Sequence, residues 1–327
     1  MTLAATKTPF QIVRNPDAPP AGLAGAVLAI GNFDGVHRGH KAVIGHARAL
    51  AKKLGGRPCA VLTFDPHPAD FFAGKTVVNR ITPVAAQGLA LERLGLDGVI
   101  VFRFDGDLAK LSAEEFVSEI IVRRLGAAGV VAGYDFHFGK GRMGTPAFLL
   151  EAGSRHGFAV EIVGKVTSDS AGSLEPVHSS AVRKALASGD VAFARELLGH
   201  DFFVVGDIIH GAKLGRTLGF PTANLQLDAS VHLAFGIYAV RFSVDGRIYD
   251  GVASYGRRPT VDNGPPLLEV YVLDFSDDLY GKTVEVAFVE WIRPELKFDG
   301  LEPLVAQIKD DEAKAREILA RALPKSP

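Results

Sequence analysis

The sequence predicts an α/β fold in two parts: a parallel sheet with crossover helices, then a small antiparallel β-barrel that ends in a helix. Three observations carry the expectation. From Ala26 to about Val163, short apolar runs alternate with helix-patterned segments, as in a parallel sheet whose strands are joined by helices. Beyond Asp201, strand-patterned segments follow one another without helices between them, and Asp245-Gly246, the dipeptide of a tight type I′ hairpin, separates two of them. A length of 327 residues is too great for one average core and suits two.

The strands expected in the first part are AVLAI, CAVLTF, GVIVF, GVVAG and FAVEIV. After the first, Val43, Ala47, Leu50 and Leu54 recur at i, i+4, i+7 and i+11, which places them on one buried helix face. A helical stretch, SSAVRKALASGDVAFARELLG, closes this part, and Gly199-His200-Asp201 reads as a junction. The expected division is therefore 1–198 and 199–327. In the second part FFVVGDIIHG, GIYAVRFSVDGRIYDGVASYG, LLEVYVLDF and TVEVAFVEW are strand candidates. Tyr238, Val240, Phe242 and Val244 share one strand face, and a last helix is expected from Leu301 to about Leu323.

Composition bounds the function. Charges nearly balance at a formal net −1, with Lys and Arg interspersed among Asp and Glu, so the basic stripe of a nucleic-acid binder is missing. The apolar run AGLAGAVLAI is about half of the ~20 residues that cross a bilayer, so no membrane span is expected. The single cysteine, Cys59, lies inside an apolar run and reads as a structural thiol, which fits a reducing cytoplasm.

Directly after the first strand comes GNFDGVHRGH, Gly31 to His40. A glycine-punctuated turn that leads a strand into a helix exposes backbone N–H groups and the positive end of a helix dipole, which together attract phosphate. His37 and His40, three apart, can face one side and donate hydrogen bonds to a phosphate whose charge grows in a transition state. Gly39 between them leaves room for a nucleotide. A plain turn with solvent-facing histidines is the alternative reading. The stretch resembles the GxFDxxHxGH signature of the nucleotidylyltransferase superfamily, which has a Rossmann-like fold and joins a nucleoside triphosphate to a phosphorylated acceptor. The resemblance implies that Gly31, Asn32, Phe33, Asp34 and Gly39 line the ATP site and that His37 and His40 hold its phosphates.

Three more stretches, TFDPHPAD from Thr63, GYDFHFGKGRMG from Gly133 and VHSSAVR from Val177, resemble in order the motifs of prokaryotic FMN adenylyltransferases. DPHP supplies Asp65 and His67 at the carboxyl edge of a strand, where open parallel sheets bind ligands; a turn held by Pro66 and Pro68 is the alternative. The glycine- and aromatic-rich stretch offers Asp135, Phe138, Lys140 and Arg142, which the resemblance assigns to the FMN-facing wall, while plain core packing of Phe136 and Phe138 stays open. The resemblance also implies that Ser179, Ser180 and Arg183 hold the pyrophosphate end of ATP, Arg183 through its fork of donors; a surface arginine on a serine-capped helix is the plainer reading. His178 stands where these enzymes commonly carry serine.

GAKLGRTLGFPTANLQL, Gly211 to Leu227, resembles the GRxLGFPTAN segment of riboflavin kinases. No GK[ST] ends it, so it is not a Walker A loop. The resemblance implies nucleotide contacts from Gly211, Lys213, Gly215, Arg216, Gly219 and Pro221, and Mg²⁺ binding with the ATP phosphates by Thr222 and Asn224, whose hard oxygens suit that cation. GVASYGRRPT is close to the family form GVANxGxRPT and contributes Arg258; Ser254 replaces the usual asparagine and Tyr255 the usual aliphatic. Glu269, a carboxylate in the otherwise apolar LLEVYVL, is the expected general base toward a substrate hydroxyl, an exposed edge-strand glutamate being the alternative.

Together the segments resemble the family of bifunctional riboflavin kinases/FMN adenylyltransferases, the prokaryotic FAD synthetases. The resemblance implies riboflavin, FMN and ATP as substrates and Mg²⁺ at both phosphoryl-type steps. A nucleotidylyltransferase for another acceptor with an accessory barrel, and a flavin or nucleotide sensor without catalysis, are the competing readings. GRTLGFPTAN argues against the first, and the joint presence of His37, His40 and Glu269 against the second.

Overall fold

The computed structural model describes residues 9–166, 177–210, 218–257 and 266–322. Contacts group the chain into two units, one of residues up to Val78 with Gln87–Val177, the other of Asn79–Ala86 with His178 onwards.

In the first unit, β1 (Gln11–Arg14), β2 (Val27–Ile30), β3 (Cys59–Asp65), β4 (Gly98–Arg103), β5 (Gly129–Gly133) and β6 (Ala159–Val163) form one sheet in the order β1-β4-β3-β2-β5-β6. Every pairing is parallel. The five expected apolar runs are β2 to β6. β2 is buried at all four residues, which is why its sequence is continuously apolar and not alternating. β1 escapes sequence reasoning: it is a four-residue edge strand, and its Ile12 is exposed. The order reverses between β2 and β5, so the turn leaving β2 lies at the switch point of the sheet, where open α/β sheets hold ligands.

The helices of this part are α1 (Arg38–Lys53), α2 (Pro68–Ala73), α3 (Val84–Arg93), α4 (Gly106–Lys110), α5 (Ala113–Glu115), which runs on as a π-helix over Phe116–Arg124, and α6 (Pro146–His156). α1 buries Val43, Ala47 and Leu50 of the expected stripe together with Ile44 and Ala51, while Leu54, the cap residue that ends the helix, is half-buried.

The second unit holds α7 (Ser179–Ala187), α8 (Val191–Leu198), β7 (Phe202–Ile209), β8 (Thr222–Gln226), β9 (Gly236–Val244), β10 (Arg247–Gly256), β11 (Leu267–Val272), β12 (Thr283–Arg293) and α9 (Leu301–Arg321). The six strands close into an antiparallel barrel in the order β10-β11-β8-β7-β12-β9. Asp245 and Gly246 both have positive φ, 50° and 74°, as a type I′ turn requires. The face Tyr238, Val240, Phe242 and Val244 is buried, and Tyr238 meets Phe288 edge-on at 5.2 Å.

The intervening β9 positions Ile237, Ala239 and Arg241 are buried as well, where alternation alone predicts solvent. On the outside of the barrel, Ala315, Ile318 and Leu319 of α9 cluster with Ala239 and Val289. A register shift in β12 between Phe288 and Glu290 leaves Val289 out of the ladder and turns it into this cluster.

One buried ion pair fastens α9 to β12. Arg293 donates from Nε to Asp311 Oδ1 at 2.9 Å and from Nη2 to Oδ2 at 2.6 Å, while Gln307 Nε2 donates to Oδ1 at 3.0 Å. Asp311 is 2% exposed. Removing one partner leaves the other charge buried and unpaired, so Arg293→Met is expected to destabilise the barrel by about 3–5 kcal/mol. Urea denaturation followed through Trp291, the sole tryptophan, checks this; a loss below about 1 kcal/mol would show that the pair does not hold the helix.

Candidate functional site

The turn after β2 is tight and strained. Phe33 and Val36 both have positive φ, 49° and 43°, a region costly for any residue with a Cβ and most of all for a β-branched one. Packing holds them there, each being 1% exposed. His37 then caps α1: its Nδ1 accepts from the His40 backbone N–H at 3.3 Å, so the neutral ring carries its proton on Nε2. The two imidazoles stack, centroids 3.6 Å apart and planes 17° apart, with Phe33 tilted against His40 at 5.0 Å. The expected pairing of the histidines is therefore present. A Cβ at Gly39 would lie 3.1 Å from His37 Cε1, so the missing side chain lets the histidine ring pack against this backbone.

Burial first, and the neighbouring His37 second, hold the His40 pKa well below the ordinary histidine value. Its Nδ1 is buried and has no hydrogen-bond partner among the described residues. The first turn of α1 carries no acidic side chain, so its positive end is not neutralised from within the helix.

Asn32 joins this turn to the DPHP stretch. Its side-chain amide lies 3.0 Å from His67 Nε2, and His67 caps α2 by accepting the Ala69 N–H on Nδ1 at 3.1 Å. The Asn32 carbonyl accepts from Thr63 Oγ1 at 3.1 Å and from Gln87 Nε2 at 3.0 Å. Thr63 and Gln87 are positioning residues that sequence reasoning missed; the one signal was a polar side chain, Thr63, inside the apolar run of β3. Asp65 ends β3, with a carboxylate oxygen 3.8 Å from Arg14.

In the stretch from Gly133, Phe138 and Gly144 exchange backbone hydrogen bonds of 3.0 and 2.9 Å and close a small loop. Asp135 and Arg142 are exposed on it, Arg142 with φ of 60°. Phe138 corrects an expectation: it is 6% exposed and packs among Phe116, Phe136 and Phe148, so the core claims it and it offers no face to a flavin. Phe136, partly buried and stacked on it at 5.5 Å, is the ring nearer the surface.

Ser179, Ser180 and Arg183 lie on α7 and group by contacts with the second unit. His178 is the cap residue of α7 and gives no side-chain capping bond. Arg183 Nε donates to the Asn79 carbonyl at 2.6 Å.

On the barrel, register assembles the site. Glu269 stands directly opposite Asn224 on one side and Ser254 on the other, while Tyr271 stands opposite Thr222. Residues that face one another across a ladder project to the same side. Ala223, Leu225, Leu268, Val270, Ala253 and Tyr255 point into the core, so Thr222, Asn224, Ser254 and Glu269 project from the outer face of the ladder, where the first, third and fourth are half-buried and Asn224 is buried. Tyr255 is absorbed by the barrel interior beside Phe235, which explains how an aromatic is tolerated where an aliphatic is usual. Gly219, with φ of +87°, and Pro221 lead into β8, and Phe220 meets Tyr271 edge-on at 5.4 Å. Gly211, Lys213, Gly215, Arg216 and Arg258 lie outside the described residues.

The donor set fits Mg²⁺. Asn224 donates from Nδ2 to the Thr222 carbonyl at 3.3 Å, and its amide oxygen, the Thr222 hydroxyl and the Glu269 carboxylate on the same face are hard oxygens of the kind that cation takes. Among the described residues no group of three His, Cys, Asp or Glu side chains is placed to hold a metal by itself.

A helix-capping turn at the switch point of a parallel sheet and an oxygen-bearing face on a closed barrel are the arrangement of a two-part transferase that handles nucleotides. Similarity to known proteins narrows the class. Residues 20–174 match the family model described as FAD synthetase, and residues 198–319 match that of riboflavin kinase. A Haemophilus influenzae protein described as a bifunctional riboflavin kinase/FMN adenylyltransferase is 40% identical over 308 residues, covering 94% of this chain and 98% of the relative. A Pseudomonas fluorescens protein of the same description is 42% identical over 297 residues, 90% of this chain and 94% of the relative. The chain belongs to the bifunctional riboflavin kinase/FMN adenylyltransferase family. A solved Streptococcus pneumoniae structure described as a macrolide-efflux protein has the same fold, with a TM-score of 0.79, 31% identity, and coverage of 93% of this chain and 98% of that one. That description stays with that protein; among the described residues here no helix is long and apolar enough to cross a membrane.

The His40 shift has a sign that can be checked. A histidine whose pKa is depressed by folding takes up its proton more readily in the unfolded chain, so stability is full above the ordinary histidine range and falls as the pH drops through it. The His40 ring signals in NMR are expected to stay those of a neutral imidazole at pH values where a free histidine is protonated. His40→Gln should flatten the acid-side loss of stability, and an ordinary titration curve for His40 would refute the burial argument.

Proposed function

We propose that residues 199–327 transfer the γ-phosphoryl group of ATP to riboflavin and that residues 1–198 transfer AMP from a second ATP to the resulting FMN, giving FAD and pyrophosphate. Membership of the family supports both activities. The observation that carries the site assignment is the register that sets Glu269 between Asn224 and Ser254 on one outward face.

In the kinase step the terminal ribityl hydroxyl attacks the γ-phosphorus, its proton passes to the Glu269 carboxylate, and ADP leaves. Thr222 and Asn224 would hold Mg²⁺ together with the ATP phosphates, where the cation supplies neutralisation of the negative charge spread over them. In the second step a phosphate oxygen of FMN attacks the α-phosphorus of ATP and the bond to pyrophosphate breaks, so no protein nucleophile is needed. His37 and His40 donate hydrogen bonds to the phosphates at the end of α1, and Ser179, Ser180 and Arg183 hold the departing pyrophosphate. A phosphate beside His40 favours its charged form and so opposes the effect of burial. Asn32, Asp65, His67, Asp135 and Arg142 serve the nucleotide and FMN side of the first unit.

The reading takes the protein as cytoplasmic. The buried Cys59 thiol, its pKa pushed up to about 12 mainly by burial, is inert and needs no oxidising compartment.

Purified protein given riboflavin, ATP and Mg²⁺ should form FMN and then FAD, read by chromatography. Glu269→Gln is expected to lower FMN formation by about 100-fold or more while supplied FMN is still adenylylated, and His37→Ala to do the reverse. Loss of both activities from either single change would count against two separate sites.

A further inference from the structure

The segment that leaves β12 carries a carboxylate that the reaction as described does not use. Arg293, the last residue of β12, is clamped by Asp311, and its Nη1 donates to the carbonyl of Pro294 at 2.8 Å, which fixes the start of the segment that leads to α9. The next residue is Glu295. Its carboxylate lies directly on the backbone of Gly256, the last residue of β10, so closely that a Cβ at that position would fall inside it. Gly256 is buried and has no left-handed φ, so its backbone does not require glycine; the space does.

Gly256 follows Ser254 by two residues and therefore shares its outward face. Ser254 is the direct partner of Glu269, which makes Gly256 the diagonal neighbour of Glu269, roughly 7–8 Å away. The Glu295 carboxylate thus sits on the same face as the expected base, one diagonal step along it. Although Glu295 is exposed as a residue, the strand takes enough water from its carboxylate to raise its pKa, against an opposing pull from Arg293. Arg293 commits its guanidinium to Asp311 and Pro294, and no hydrogen bond or ion pair reaches Glu295 among the described residues. A carboxylate held in a built slot, acceptor-only and without a donor, suits a ligand that brings hydroxyl groups.

We propose that Glu295, seated in the slot left by Gly256, accepts hydrogen bonds from the secondary hydroxyls of the ribityl chain and so selects a polyol-bearing flavin. The inference rests on the kinase reading above. The placement suits that ligand: with Glu269 at the terminal hydroxyl, a second carboxylate seated one diagonal step along the same face can meet the hydroxyls further along the chain. An acceptor without the secondary hydroxyls leaves the carboxylate partly desolvated and unpaired, and this unmade contact, more than any attraction, gives the selectivity.

The test compares riboflavin with 7,8-dimethyl-10-(5-hydroxypentyl)isoalloxazine, which keeps the terminal hydroxyl and lacks the three secondary ones. The readout is the ratio of kcat/KM for the two acceptors at saturating ATP. Glu295→Gln, a change at an exposed residue, and Gly256→Ala, which displaces the carboxylate without altering it, are each expected to lower the ratio at least 10-fold through a higher KM for riboflavin, with the KM for ATP unmoved. An unchanged ratio in both variants, or a loss shared equally by both acceptors, would overturn the proposal. Failure of the unaltered protein to phosphorylate riboflavin at all would instead refute the kinase reading.

Discussion

The barrel's chemistry hangs on the period-two alternation of a closed antiparallel ladder. Once Leu225, Leu268, Val270 and Ala253 are driven inward by the loss of apolar surface to water, Asn224, Glu269 and Ser254 have nowhere to go but out, and in line. A slip of one residue between β8 and β11 would bury the carboxylate and expose the core, which makes the register expensive to alter. Glu269 lies on the outer wall for the same reason, although the strand around it is otherwise apolar.

A different device serves the first unit. The β2 strand ends at the switch point of a parallel sheet, and the chain must turn within a few residues to start α1. Two non-glycine residues accept left-handed backbone there because Phe33 and Val36 are anchored in the core. Asn32 then ties the turn to β3 through its carbonyl and to the DPHP stretch through its amide. A side chain at Gly39 would crowd the His37 ring that stacks on His40, so the histidine pair gives this position one reason to be glycine.

Both motifs were legible in the linear sequence because each is contiguous: a turn and its helix cap, or a strand with its leading loop, is a local object. Strands of buried parallel sheet were legible from their unbroken apolar texture, and the β9–β10 hairpin from two residues. What escaped was non-local or short. β1 is too brief for any period to show. Thr63 and Gln87 act on Asn32 from elsewhere in the chain, and Phe138 could not be told from a flavin-stacking ring until Phe116 and Phe148 were seen beside it. The burial of Ile237, Ala239 and Arg241, on what alternation marks as the solvent side of β9, was equally beyond a period-two argument.

By itself, then, the order of residues determined the fold class, the family and the candidate reactive groups, since apolar periodicity, turn chemistry and motif spacing are properties of neighbours along the chain. Only the tertiary structure decided which carboxylates share a face, which histidine stays neutral and which glycine is a slot. Those depend on cross-strand register, desolvation and the volume left between segments that meet only after folding.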